Sequence, residues 1–313
     1  MTDLNHQLTE AFPPPATRAE KEHWVFTKPQ TFTRSAITQT ADLDYSNAET
    51  WEHTLQPATW HQGQHALTLE SNEQRTLVEF IIGDAPEALL TDTLDISLQQ
   101  GSTLRHIRLH AGTQHQQRRI VNVTADENAT YQQFTLTVGG TLSRTETLVD
   151  LIGEKAHAEV VSLNLLQGEE KADTLNHTHF KAPSCTADIR QRNVVADAAH
   201  AVFQGKFHVD QIAQQTDAYM LCQNILLGEK ACASHKPELE IYADDVKCSH
   251  GATTGTLDEA HLFYLQARGI PKAQAKQMLI AAQVHDLIDN LPDAITARAL
   301  ALTEKWLKGV SHA

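Results

Sequence analysis

With 313 residues, the chain can bury a sizeable core in one large domain or two smaller ones. Acidic residues outnumber basic ones 39 to 25, a net charge of −14, and no Lys/Arg cluster occurs. That balance argues against nucleic acid and against anionic membrane surfaces as partners.

The opening stretch, "MTDLNHQLTEAF", lacks the charged-then-apolar pattern of a secretory signal. No apolar run approaches the ~18 residues of a spanning helix. A cytoplasmic location is expected. Residues 1–30 read as a small N-terminal helical segment, with a stiff proline run at Pro13–Pro15 and helix-compatible sequence from Thr17 to Trp24.

Residues 31–255 alternate instead. Leu94, Ile96 and Leu98 share one parity, as do Phe134, Leu136 and Val138, then Val161, Leu163 and Leu165, then Leu239, Ile241 and Ala243. Period-two alternation marks strands with one buried face. Gly101, Gly112, Gly153, Gly205 and Gly228 punctuate the joins. Sandwich, barrel and β-helix all fit this spacing. The scarcity of Asn-Gly or Asp-Gly hairpin signals favours a solenoid of stacked coils.

Residues 256–313 read as a helical C-terminal domain. Thr256 to Glu259, "TLDE", has the form of a capping box. A first helix runs to Gly269, Pro271 suits the first turn of a second, and Pro292 opens a third that ends near Gly309. Met278, Leu279, Ala282, Leu287 and Ile288 supply the apolar stripe of the second. Three short helices need the β domain or a partner protein to cover that stripe.

The chemistry-bearing stretch is "DDVKCSHGATTG", residues 244–255. On a strand, Cys248 and His250 face the same way, roughly 6.6 Å apart. Thiolate and imidazole are ordinary ligands for iron and zinc, but two residues cannot complete a four-coordinate site. Other ligands must come from a neighbouring coil or another chain. Val246 shares that face, so the simpler reading of Cys248 is a core residue. His250 stands where the strand yields to a glycine and can reach solvent or an interface.

With coils of about 20–25 residues, Cys222 falls near Cys248 on the adjacent coil. Cys232 and His235 lie just upstream. His177 and His179 share a face with Leu175 and read as hydrogen-bonded structure or, less simply, as metal ligands. His106 and His110 read as incidental, and Cys185 has no visible partner. The four cysteines form no C-x-x-C pair, so a zinc ribbon is not expected. No phosphate-binding loop occurs, so any ATP must sit on another subunit. Asp244 and Asp245 keep a polysaccharide-acting β-helix open as an alternative, although neighbours on a strand face opposite ways. A purely structural subunit is the other alternative.

The segments "KADTLNHTHFKAPSCTADIR", "FQGKFHV", "QQTDAYMLCQNILL", "KPELEIYADDVKCSHGATTGTLDEAHLFYLQARGI" and "AKQMLIAAQ" resemble the SufB/SufD family of iron–sulfur cluster assembly proteins. The resemblance is dense over about 170–285 and one of pattern over about 31–170. It is closest to the SufD side. The cysteine-rich N-terminal motif of many SufB proteins is missing, and Gly251 follows His250 where SufB-like chains carry a glutamate.

The resemblance implies a right-handed parallel β-helix with small helical ends, acting as a scaffold without catalysis of its own. It implies pairing with a SufB-like subunit, or as a homodimer, and docking of a SufC-like ATPase through Asp258, Glu259, Phe263, Tyr264 and Arg268. The nascent cluster would form at the shared interface, held transiently in the complex and not stably by the isolated chain, with ATP on the partner. His250 takes the place of the family's assembly histidine and Cys248 that of its motif cysteine. Cys222 aligns with the sulfur-accepting position of SufB-like chains.

Overall fold

The structure is a computed structural model that describes Thr27, residues 39–42 and residues 49–310. The expected helix at Thr17–Trp24 lies outside the described residues.

Among the described residues, sixteen strands run in order: β1 (Gln39–Asp42), β2 (Thr50–Thr54), β3 (Thr59–Leu69), β4 (Gln74–Ile82), β5 (Leu89–Leu98), β6 (Thr103–Gly112), β7 (Gln116–Ala125), β8 (Thr130–Gly139), β9 (Leu142–Leu151), β10 (His157–Leu166), β11 (Lys171–Phe180), β12 (Thr186–Val195), β13 (His200–Val209), β14 (Asp217–Leu226), β15 (Cys232–Ile241) and β16 (Lys247–Gly255). The odd strands form one eight-stranded sheet and the even strands another. Each strand pairs in parallel with the strand two further along the chain. This is a two-sheeted parallel β-helix in which one coil adds one strand to each sheet.

Register partners lie 26 residues apart at Gln116 and Leu142, and 32 apart at His200 and Cys232. The expected length of 20–25 residues is therefore too short for these coils, although Gln39 and Thr59 in the first pair are 20 apart. Two strands of about ten residues and two turns must fit in each coil.

The interior is apolar along one column and polar along another. Leu94, Ile96 and Leu98 point inward, as their parity suggests, with Val121, Val123, Phe207 and Met220. Phe134, Leu136, Val161, Leu163 and Leu165 face outward from the even-strand sheet and are buried under the C-terminal helices. Their inward neighbours are polar. Asn164 donates to Asn193 at 2.9 Å, and Asn193 donates to Asn224 at 2.7 Å. A buried polar side chain stays inside only if it is hydrogen-bonded. Stacked identical amides meet that condition coil after coil.

A corner of successive coils is held by a residue in the left-handed region: Asn72, Gly101, Asn128, Lys155, Ser184 and Gln215, with φ from 56° to 70°. Each donates its backbone N–H to the next coil; for Asn128 the acceptor is Glu154 O at 2.9 Å, and for Ser184 it is Gln214 O at 2.8 Å.

Among the described residues, three helices follow β16: α1 (Glu259–Ala267), α2 (Lys272–Ile288) and α3 (Asp293–Val310). The helix start differs from the expected capping box. Asp258, not Thr256, is the N-cap, and its carboxylate accepts from Ala260 N and His261 N. A carboxylate there also complements the positive end of the helix. Pro271 flanks α2 as its N-cap residue and does not enter its first turn. The buried stripe of α2 is Ala275, Ile280, Val284, Leu287 and Ile288, while Met278 and Ala282 face solvent. Pinning reinforces packing: Arg298 lies over the Phe80 ring at 3.5 Å, and Arg192 reaches Asp286 at 3.2 Å.

Candidate functional site

The β-helix ends at β15 and β16, which are the outermost strands of their sheets. The register sets Cys248 beside Ala218, His250 beside Met220, Ala252 beside Cys222 and Thr254 beside Asn224. Residues in register on neighbouring strands point the same way. Ala218, Met220, Cys222 and Asn224 are all buried. Cys248 and His250 thus continue the internal columns of the solenoid but occupy its last rung. His250 is exposed and Cys248 is half-buried against the inner core. On the facing strand, His235 continues the column of Phe203 and is likewise exposed.

The four thiols differ sharply. Cys222 is sealed, and burial pushes its thiol up to about 12 against the opposing effect of its contact with Asn224. Its S–H donates to Asn224 Oδ1 at 3.8 Å. Cys185 is also sealed, donates to Gly153 O at 3.2 Å, and is raised by burial. Cys248 is raised by burial first and by the charge of Asp217 second. Cys232 is exposed. Only a thiolate is a good nucleophile or ligand, so neither sealed cysteine is ready for sulfur or metal at neutral pH. The expected proximity of Cys222 and Cys248 also fails in detail. They lie on adjacent strands, but the register offsets them by four residues, about 13 Å along the strand.

The helical candidates lie together. Asp258 and Glu259 open α1, and Phe263 and Tyr264 lie on its surface, 73% and 55% exposed. Arg268 caps α1 and stacks over Tyr264 at 4.6 Å. Leu262 is the buried residue of this helix. Asp244 and Asp245 sit side by side in the exposed turn between β15 and β16.

Two polar clusters escape a reading of the residues alone. His106 and His110 are not incidental. They lie inside the coil, where His106 Nε2 meets Glu79 at 2.5 Å and Nδ1 meets the Tyr131 hydroxyl at 3.0 Å. Arg119 reaches across from the odd-strand sheet to Glu79 at 2.6 Å and to Asp92. Burial alone would raise the Glu79 carboxyl, but Arg119, Arg108 and His106 hold it well below the usual range. The second cluster, His179, His208 and Asp210, lies on the outer face of the odd-strand sheet.

Residues 36–283 match the family model described as SUF system FeS cluster assembly, SufBD core domain. The chain is 33% identical over 234 residues to the iron–sulfur cluster assembly protein SufD of Escherichia coli, covering 74% of this chain and 55% of that protein. It is 34% identical over 170 residues to an iron–sulfur cluster assembly SufBD family protein of Synechocystis, covering 54% and 38%. It is 28% identical over 257 residues to the chloroplastic protein ABCI7 of Arabidopsis thaliana, covering 80% and 54%. The chain spans about half the length of the curated relatives it matches. Among the described residues, no helix is long and apolar enough to cross a membrane.

Proposed function

The chain belongs to the SufBD family of iron–sulfur cluster assembly proteins, and from that membership we propose that it is a scaffold subunit whose end coil supplies one half of a cluster-building pocket. The other half comes from a SufB-like subunit, or from a second copy of this chain, seated on the open edge. One observation carries the reading: His250 and Cys248 occupy inward-facing columns, and among the described residues no coil stacks beyond them. A coil from a second chain would cover them and turn an exposed imidazole into an interior ligand.

The backbone favours β16 as the strand that pairs. Lys247 N donates to Thr216 O on the side of β14. In a parallel ladder alternate residues turn their N–H groups to opposite sides. The donors of Cys248, His250, Ala252 and Thr254 therefore face the open edge, without interruption. On β15, Cys232 N donates to Ala199 O, so the outward donors there fall at odd-numbered residues. One of these is Pro237, which has none. Proline on an edge strand discourages pairing.

In this scheme His250 binds iron arriving as substrate, through an imidazole nitrogen. Cys248 stands behind it as a thiol that becomes a ligand once a metal ion displaces its proton. Cys222 packs the interior, and it meets sulfur only when the end coils part. A SufC-like ATPase docks on α1, where Phe263 and Tyr264 face solvent and Asp258, Glu259 and Arg268 supply charge around them. ATP stays on that partner, and the cluster is held only while the complex exists.

The test is co-purification of the chain with SufB-like and SufC-like proteins, followed by iron and sulfide analysis. His250→Ala is expected to melt within about 0.5 kcal/mol of the parent, as exposed substitutions do, yet to yield a complex without cluster. Normal cluster content in that complex would remove His250 from the assembly.

A further inference from the structure

The outer face of the odd-strand sheet carries a column of side chains that the open edge does not use. The register sets Asp150 of β9, His179 of β11, His208 of β13 and Glu240 of β15 side by side. The two imidazoles meet edge to face, with ring centroids 4.3 Å apart. Just past the end of β13, Asp210 folds back over them. Its Oδ1 lies 2.9 Å from His179 Nε2 and 3.2 Å from His208 Nε2.

Both rings turn the same nitrogen toward one oxygen atom. Their other nitrogens also face carboxylates. His208 Nδ1 is 3.3 Å from Glu240 Oε2, and His179 Nδ1 is 3.9 Å from Asp150 Oδ1. In the metal-free chain Asp210 Oδ1 accepts from Nε2, so both Nε2 atoms and that oxygen border one small volume. A metal ion entering there takes the place of the Nε2 proton, and His208 Nδ1 is left to donate to Glu240, the arrangement that orients metal-bound histidines.

The geometry needs little adjustment. The three donor atoms lie within 4.8 Å of one another. A cation bonded at ~2.0–2.2 Å to each would set them roughly 3.3–3.5 Å apart. Each flanking carboxylate also has a lysine partner: Lys181 lies 2.7 Å from Asp150, and Lys206 lies 2.5 Å from Glu240. A shallow groove lined by His208, Asp210, Gln211, Ile212 and Tyr242 opens the cluster to solvent.

We propose that His179, His208 and Asp210 form a binding site for a first-row divalent transition metal ion of the zinc or iron(II) class. Two imidazoles and one carboxylate leave coordination positions open to water or to a ligand from another molecule. The site is separate from the edge, since His250 stands on the even-strand sheet.

Cobalt(II) is the probe, because its visible absorption reports nitrogen and oxygen coordination. It is titrated into the full chain after chelator treatment, and zinc is then added in competition. One saturable equivalent is expected in the parent, displaced by zinc. His179→Gln and His208→Gln should abolish it. Glu240→Gln should weaken it about 10–100-fold, as loss of a carboxylate behind a metal-bound histidine does. His250→Ala and Cys248→Ser should leave it intact. Should a histidine variant melt early, Asp210→Asn keeps the hydrogen-bonding shape and must still weaken binding at least about tenfold. An isotherm indifferent to His179, His208 and Asp210, or one abolished by His250→Ala, would overturn the assignment.

Discussion

Glu170 shows how one residue's surroundings set the pH response of the whole chain. It precedes β11, and its Oε2 accepts from Gln167 N at 2.8 Å. Burial pushes its carboxyl from the ordinary 4.5 up to about 7, against the lowering effect of that N–H, and the charge of Asp197 adds to the rise. Between those two values the folded chain keeps the proton while the unfolded chain has released it. Stability therefore falls as pH rises through this window. His115 acts in the opposite sense, because burial lowers it to about 4. Its contribution is complete above about pH 6.5 and is lost as pH falls toward 4. Glu170→Gln removes one of these opposed slopes and keeps the other. The variant is expected to match the parent near pH 4 and to exceed it at pH 8 by at most about 3 kcal/mol, from roughly two and a half pKa units. Urea denaturation at pH 4.5, 6 and 8 measures this, and a difference that stays constant across the series would refute it.

Elements are set by the stacking of coils more than by local preference. At Gly153, a Cβ would stand 1.9 Å from Glu127 N and 2.3 Å from Asp126 C, which are backbone atoms of the coil below. Backbone cannot swing aside as a flexible side chain can. Gly153→Ala is expected to cost about 3 kcal/mol, read as a lower urea midpoint with an unchanged slope. A loss under 0.5 kcal/mol would mean that the corner is looser than this contact implies. Gly153 was legible as a join. The corner column was not, because Lys155, Ser184 and Gln215 adopt positive φ that their own chemistry does not favour. Hydrogen bonds to the next coil hold them there. Parity was legible in the same partial way. Phe134 and Leu136 do mark a buried face, but alternation cannot say that it lies under helices and not inside the coil. His106 reads as incidental because only its pairing across the lumen with Glu79, beside Arg108 and Arg119, makes such burial tolerable. The edge pair Cys248 and His250 could be seen from two-residue spacing. Asp210 joins two histidines from different strands, so it becomes visible only once the register is known.

At the scale of the molecule, the two ends of the last coil are not equivalent. Pro237 breaks the row of outward donors on β15, whereas β16 offers that row intact through Thr254. In the complex proposed above, a second chain would therefore add its strand to β16, and the even-strand sheet would continue across the interface. The inner columns would continue with it, with His250 and Cys248 at the seam. Ala252→Pro tests this sequence of consequences. The Ala252 N–H faces the open edge, so its loss leaves the ladder to β14 untouched. Its side chain sits over Cys222 with no coil beyond it, so the ring has room. The variant should fold with a melting temperature close to the parent's and should fail to co-purify with a SufB-like partner, while still binding cobalt at His179 and His208. A matched proline at His235, on the strand already interrupted, should leave the complex largely intact. If the two prolines weaken the complex equally, both strands pair and the seam spans both sheets. If neither does, the second chain joins elsewhere, and His250 loses its place between two subunits.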